Sequence, residues 1–303
     1  MTKCSIDVIS LPTYDVVEGD KILGGPLYYA WKALESIEAS AELRVPAPID
    51  MGGYPRGSRP KPSCYLVFDI DEAEDGSRSL KVLRECKADT LWLGGEALLL
   101  SPVYWDVGSD VLARLHHYRV ALADLQGFFR VAGWVSRSIE TRLDVGVAAV
   151  LHALVHGAGT IVAKASIEDL NYNVYNVEVL EVLAASFPQL VLTLGSSGSV
   201  AWDSGGALLY VAADPVKGTR TTGAGDMFSA TLLLSLCEGA DMEDSLCRAS
   251  SVVSCLLECR KLSTSLRGCN CRSFYEKPKC RLQRLTHHSS YIKVLSDVYT
   301  AWG

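Results

Sequence analysis

The chain has 303 residues and carries 29 Lys and Arg against 35 Asp and Glu, a formal net charge of −6. Hydrophobic residues at 49% and charged residues at 21% are globular proportions that exclude wholesale disorder. The acidic excess excludes a broad nucleic-acid-binding face, which needs clustered Lys and Arg; the local cluster Arg56–Lys61 lies in a Gly/Pro-rich loop and reads as solvated.

In chain order, Ser5–Ser10 reads as a strand and Leu27–Ile37 as a helix. Val45–Pro62 holds five prolines and three glycines and reads as a long loop. Cys64–Ile70 and Leu80–Leu83 flank Asp75-Gly76, a hairpin signal. Thr90–Leu93 and Val120–Ala123 read as buried strands. Ser138–Val155 reads as a helix with an apolar face at Ile139, Leu143, Val147, Val150 and Leu151. Thr160–Ala163 is a strand, Asn176–Ser186 a helix and Leu190–Leu194 a strand. Ser199–Trp202 and Ala207–Ala212 form a hairpin around Gly205-Gly206, and Asp226–Leu236 and Glu243–Leu257 are helices. No periodicity assigns the residues after Lys261. Strands alternating with helices predict a mostly parallel sheet covered on both faces. The loop and hairpin inserted early predict a lid over a site.

Met1–Ile9 lacks the apolar run of a signal peptide. The most apolar stretch, Val145–Ala163, is interrupted by His152, His156, Gly157 and Gly159, so neither half can span a bilayer. The expected location is cytoplasmic. Ten cysteines are many for that compartment: Cys4, Cys64 and Cys86 are scattered, and seven fall between Cys237 and Cys280. Buried thiols, intracellular disulfides and a zinc site all remain open. His116 and His117 read as surface residues, His287 and His288 lie in the unassigned tail with no chemical context, and Trp92 and Trp134 read as packing residues.

The segment with chemical content is Thr221-Thr-Gly-Ala-Gly-Asp226-Met-Phe-Ser-Ala-Thr-Leu-Leu-Leu. Gly223, Ala224 and Gly225 allow a tight turn whose N–H groups, with the helix dipole, make an anion hole suited to phosphate. A carboxylate beside it would be repelled by phosphate unless it has a task, and taking a proton from an attacking hydroxyl is such a task. The competing explanation is an Asp N-cap after a glycine turn.

This segment resembles the signature of the ribokinase-like (PfkB) carbohydrate and nucleoside kinases, and the other pieces follow in that family's order. Leu23-Gly24-Gly25-Pro-Leu-Tyr-Tyr-Ala30 resembles the Gly-Gly substrate motif opening a helix. Val8-Ile-Ser-Leu-Pro-Thr-Tyr-Asp15 resembles the first strand, ending on a substrate-binding Asp. Ala123-Asp124-Leu-Gln126-Gly127 resembles the central strand end near the transferred phosphate. Val162-Ala-Lys164-Ala-Ser166-Ile-Glu168-Asp169 stands where the family has a Mg²⁺-linked Asn-x-x-Glu, and Val191-Leu-Thr193-Leu-Gly195-Ser-Ser197-Gly198 resembles the nucleotide-binding strand and turn. The likeness runs from about Ser5 to Leu257.

The resemblance implies one α/β domain over residues 1–303, a ribokinase-like three-layer sandwich with a mostly parallel central sheet and a small β lid from segments near 11–23 and 45–86. It implies an ATP-dependent kinase acting on a hydroxyl of a sugar or polyol, inositol-like ones included. A nucleoside kinase, a non-catalytic nucleotide- or sugar-binding relative, and an α/β protein that binds phosphorylated ligands without turnover are the alternatives. By the same resemblance Asp226 is the base, and Gly223, Ala224 and Gly225 form the anion hole. Asp15, Gly24, Gly25, Tyr29 and Gln126 meet the substrate, and Thr193, Gly195, Ser197 and Gly198 the nucleotide. Asp169 and Glu168 order Mg²⁺ through water, and a homodimer through the lid is implied. Four residues depart from the family. Arg220 replaces an Asp two residues before the second Thr of the signature, so a monovalent-cation site is not carried over. Tyr29 replaces an Asn, and Ser166 and Asp169 replace Asn and Glu. Tyr28 and Tyr29 could equally be core, and Lys164 could meet a phosphate or simply be solvated after its strand.

Overall fold

The β-branched runs do become strands, and the polar ends of those strands gather on one side of a sheet. The computed structural model describes residues 4–17, 19–39, 42–44, 46–47, 59–60, 65–72, 78–86, 94–103, 117–132, 139–141, 160–170, 184, 186–202, 208–263 and 265–285. Its strands are Ser5–Ile9 (β1), Thr13–Val17 (β2), Asp20–Gly24 (β3), Glu42–Arg44 (β4), Pro46–Ala47 (β5), Arg59–Pro60 (β6), Leu66–Glu72 (β7), Arg78–Arg84 (β8), Ala97–Leu100 (β9), Val120–Asp124 (β10), Arg130–Ala132 (β11), Ile139–Thr141 (β12), Ile161–Ser166 (β13), Gln189–Thr193 (β14), Ser199–Trp202 (β15), Leu208–Ala212 (β16) and Arg281–Leu285 (β17). Its α-helices are Gly25–Ser36 (α1), Gln126–Phe129 (α2), Ala224–Cys237 (α3), Met242–Ser263 (α4) and Arg272–Glu276 (α5).

Among the described residues the main sheet has the order β17-β16-β15-β14-β13-β10-β9-β1-β4. Every pairing from β14 to β4 is parallel, and the β14–β15–β16–β17 edge is antiparallel. Both faces are buried, so the parallel strands read as continuous apolar runs. Val120 and Leu122 face one core with Leu99, and Ala121 and Ala123 face the other with Leu98 and Leu100. Helix α3 is apolar nearly all round because it lies between α1, α4 and the sheet. A four-stranded sheet, β3-β2-β7-β8, stands apart with its own core of Leu11, Leu66, Phe68, Ile70 and Val82. It joins the two segments, early chain and hairpin, expected to form a lid.

Four expectations are corrected. The first strand ends at Ile9 rather than running to Asp15, because Pro12 breaks it and Asp15 falls in β2 of the smaller sheet. Ile139–Thr141 is not helical: its β-branched ends pair antiparallel with Arg130–Ala132. The rest of Ser138–Val155 lies outside the described residues, as do Thr90–Leu93 and all of Asn176–Ser186 except Ala184 and Ser186, which are helical. Of the residues after Lys261 that sequence periodicity leaves unassigned, Arg272–Glu276 form α5 and Arg281–Leu285 form β17, whose register on β16 runs from Leu208–Leu285 to Ala212–Arg281.

The fourth correction concerns the thiols. Cys4–Cys237, Cys247–Cys280, Cys255–Cys271 and Cys259–Cys269 are disulfides, and Cys86 is disulfide-bonded as well. The buried-thiol explanation therefore gives way to the disulfide one. Zinc fares no better: the one three-group cluster among the described residues is Cys4, Cys237 and Glu96, and its two sulfurs bond each other. Cys4–Cys237 ties the start of β1 to the end of α3 across 233 residues, a long loop whose closure restricts the unfolded chain most. Alkylating the unfolded, unreduced protein should label no cysteine, because none of the described cysteines is free and the ninth bonded cysteine, Cys86, takes the tenth as its partner; a count of two or more would contradict these pairings. No helix among the described residues is long and apolar enough to cross a membrane.

Candidate active site

Three neighbouring parallel strands end on polar residues: β10 on Asp124, β13 on Lys164-Ala-Ser166 and β14 on Thr193. In open α/β sheets ligands bind beyond such carboxyl ends. The β10–β13 register sets Asp124 opposite Lys164, and Lys164 Nζ lies 2.9 Å from Asp124 Oδ2. Both side chains are buried, Lys164 at 1% and Asp124 at 0% exposure. Asp124 is also contacted by Ser229 Oγ of α3 and by the Gln126 N–H. Burial opposes the Lys164 ammonium, yet Asp124, then Asp169 and Asp226, outweigh it and hold its pKa above the usual value. Lys164 is thus no solvated residue. A Lys inside an apolar strand needs an anion, and that was the available signal.

Helix α3 begins at the glycine turn. Its N-cap is Gly223, left-handed at φ +84°, and no side chain caps it. Asp226 sits one turn in, so the N-cap explanation for it fails. A Cβ on Gly223 would fall on the Tyr29 ring, which fixes glycine there twice over, by conformation and by space. The Ala224 N–H donates to the Thr221 carbonyl at 2.9 Å. That corrects the expected hole, since this N–H is already spent inside the turn. No backbone acceptor among the described residues takes the Gly225 or Asp226 N–H, and Lys164 Nζ stands 3.1 Å from where a Gly225 Cβ would be. The turn therefore pairs helix-end donors with a fixed ammonium. Burial, and then the Asp124 charge, push the Asp226 carboxyl up to about 7; Lys164 and Arg130 pull against them, and Asp15 adds a further push. A carboxyl so placed can accept a proton near neutral pH.

Strand β2 brings Asp15 to the same place. Its register sets Thr13 opposite Gly24, and a Cβ on Gly24 would fall on the Asp15 carboxylate. Gly25, at φ +73°, has Thr13 Oγ1 where its Cβ would be. The Gly-Gly pair thus makes room for Asp15 and Thr13 at the mouth of α1. Tyr29 is buried, and burial raises its phenol further from ionisation. Its ring supports Gly223 from behind.

Asp169 is buried at 2% exposure. Its Oδ2 accepts from the Ser166 N–H and Oγ, both at 2.9 Å, and its Oδ1 lies 3.5 Å from Arg130 Nη2. Glu168 is its neighbour in a 3₁₀ turn. The register pairs Ser166 with Thr193, where Thr193, Gly195, Ser197 and Gly198 lead into β15. The Tyr210 hydroxyl donates to the Ser197 carbonyl at 2.8 Å, and a Cβ on Gly198 would fall on the Val211 carbonyl. Asp226, Asp15, the Gly-Gly pair, Tyr29 and Asp169 thus share one polar neighbourhood, while Gln126 is turned to Asp124 through its backbone. Sequence reasoning placed Asp124 near the site but gave it no role of its own, and it missed Arg130. An Asp closing an apolar strand was the signal for the first, and nothing local marks the second.

Residues 136–268 match the model of the pfkB family carbohydrate kinases. No curated protein matches by sequence. Among solved structures, a pyrophosphate-dependent kinase in the ribokinase family, complexed with a pyrophosphate analogue and myo-inositol, is 17% identical, with a TM-score of 0.64 over 84% of this chain and 95% of that one. Ribokinase from Cryptococcus neoformans var. grubii with ADP is 15% identical, with a TM-score of 0.58 over 85% and 94%. A double mutant of fructokinase from Vibrio cholerae O395, in a fructose-, ADP- and potassium-bound form, is 15% identical, with a TM-score of 0.60 over 91% and 99%. At these identities the structural likeness establishes a shared fold.

Proposed function

We propose, for a chain that belongs to the ribokinase-like PfkB family, that it transfers the γ-phosphoryl group of ATP to a hydroxyl of a sugar or polyol, inositol-like ones included. The observation that carries this is the placement of the Asp226 carboxyl in the first turn of α3, directly after Gly225, where an added Cβ would lie 3.1 Å from Lys164 Nζ; burial there raises the carboxyl to about 7. In the transfer Asp226 takes the hydroxyl proton as the oxygen attacks phosphorus, and the bond to the ADP oxygen breaks. The N–H groups of Gly225 and Asp226, with the Lys164 ammonium, hold the charge on the moving phosphoryl group. Thr193, Gly195, Ser197 and Gly198 take the nucleotide. The β3-β2-β7-β8 sheet is the lid, and its closure keeps water from the donor.

Mg²⁺ screens the donor phosphates when bound. A carboxylate offers about four acceptor sites, and Ser166 and Arg130 use three on Asp169. The remaining site fits one water of a hydrated ion, which takes few protein ligands, and Glu168 is the adjacent carboxylate.

Asp15 is the acceptor grip. Asp15→Ala should raise the acceptor KM about tenfold or more, as loss of a charge-assisted hydrogen bond does, with the donor KM unchanged. An unchanged acceptor KM would make Asp15 a packing residue behind Gly24.

The solved relative that uses pyrophosphate favours a second reading for the donor alone. Wild-type protein incubated with ATP or with pyrophosphate, against polyols, sugars and nucleosides, separates these readings. One donor with a sugar or polyol should yield a new phosphomonoester. A nucleoside product would move the acceptor class, and no product from any pair would leave a binding protein.

A further inference from the structure

We infer that the Arg260 guanidinium is a built-in cation for the phosphate-binding turn, holding that turn in shape so that the protein needs no bound monovalent ion there. This rests on the phosphoryl-transfer reading above. Arg260 lies in the last turn of α4, and its Nη1 donates to the carbonyl oxygens of Arg220 at 3.0 Å and Thr222 at 2.8 Å. The carbonyl between them, of Thr221, accepts the Ala224 N–H. Two carbonyls of one short turn therefore converge on one positive nitrogen. Convergent carbonyl dipoles repel each other unless a cation lies between them, and an arginine supplies a permanent charge with fixed donor geometry.

The same guanidinium reaches the turn a second way. Its carbon stands 5.4 Å from the centroid of the Tyr29 ring, within the range of a cation–π contact. The Tyr29 ring is what occupies the space behind Gly223. Arg260 thus fixes the turn through the carbonyls of residues 220 and 222, and through Tyr29 it backs the left-handed Gly223 that starts α3. Gly225 and Asp226 follow immediately, so their N–H directions depend on this anchorage.

Arg260 is itself held. Cys259 is bonded to Cys269 and Cys255 to Cys271, two cross-links on the same end of α4. A metal ion seeking the two carbonyls would have to displace a cation covalently tethered to a cross-linked helix. Arg260 contacts the carbonyls of residues 220 and 222 and the Tyr29 ring and acts through the turn, so it is a positioning residue.

The test has three parts. Wild-type turnover at equal ionic strength in potassium, sodium and tetramethylammonium chloride should be the same, and a requirement for potassium would overturn the inference. Arg260→Ala should lose about a hundredfold in kcat, the scale of a misplaced catalytic group, with little change in acceptor KM. Added guanidinium or potassium ion should restore much of it. Near-wild-type turnover, or a loss that neither ion repairs, would overturn the inference. Should that variant not fold, Arg260→Lys keeps a tethered cation. It should turn over within about tenfold of wild type and stay indifferent to potassium; folded but inactive protein would contradict the role. Calorimetric binding of ATP and of inorganic pyrophosphate separates this inference from the functional reading. Binding about tenfold weaker in Arg260→Ala, restored by guanidinium, supports it without any turnover. Equal binding to both proteins overturns it alone, and no binding of either anion to wild type overturns both.

Discussion

Asp226→Asn is expected to lower kcat by about 10²–10⁴, the range for loss of a general base, while ATP binds as well or slightly better. The exchange keeps the size of the side chain and removes one negative charge facing the phosphates. It should not harm α3, because Gly223 and not Asp226 is the N-cap. Stability gives an independent sign. Burial and the Asp124 charge raise the Asp226 carboxyl from 3.8 to about 7, so the folded protein disfavours its charged form. The stability this contributes is fully present below the unfolded value and is lost as pH rises through about 7. At pH 8 the Asn variant should therefore melt higher than wild type, and the gap should close towards about pH 4. Thermal midpoints at the two pH values, with kcat beside them, check both halves. Turnover above about a tenth of wild type would sink the base assignment.

Lys164→Met should have the largest effect on stability. It leaves Asp124 buried and without its ammonium, at side-chain exposures of 2% for Lys164 and 0% for Asp124. Breaking a buried pair from one side costs about 3–5 kcal/mol. Removing both charges, as in Lys164→Met with Asp124→Leu, should recover much of that loss, since the uncompensated charge and not the missing bond dominates. Urea unfolding of the single and double variants measures the difference. A single variant as stable as wild type would mean that Asp124 finds another cation or a proton at no cost.

Much of the fold was legible because burial on both faces writes parallel strands as plain apolar runs. Val120–Asp124, Ile161–Ser166 and Gln189–Thr193 all lie within a residue or two of the positions the sequence indicates at their starts. The glycine turn before Asp226 was legible for a local reason too, since a left-handed Gly223 and a close ring at its back leave no other residue. What the sequence hid is what register and distance decide. Lys164 looks like the usual solvated Lys after a strand until the β10–β13 register sets Asp124 opposite it. Nothing in the sequence around Arg260 marks it; only the fold brings the carbonyls of the turn to it. Ile139–Thr141 fitted a helical apolar face, and pairing with β11 overrode that periodicity. Cysteine spacing suggests nothing of Cys4–Cys237, because 233 residues separate partners that only the packing of β1 against the end of α3 brings together.

The most direct measurement is kcat/KM for the acceptor against pH, which reports the free enzyme's ionisations. With Asp226 as base, the rate should climb as its carboxyl deprotonates, giving an acid limb centred near 7, and Asp226→Asn should show only a low rate without that limb. A wild-type rate that stays flat from about pH 5 to 8, or a limb that survives in the Asn variant, would contradict Asp226 as the proton acceptor.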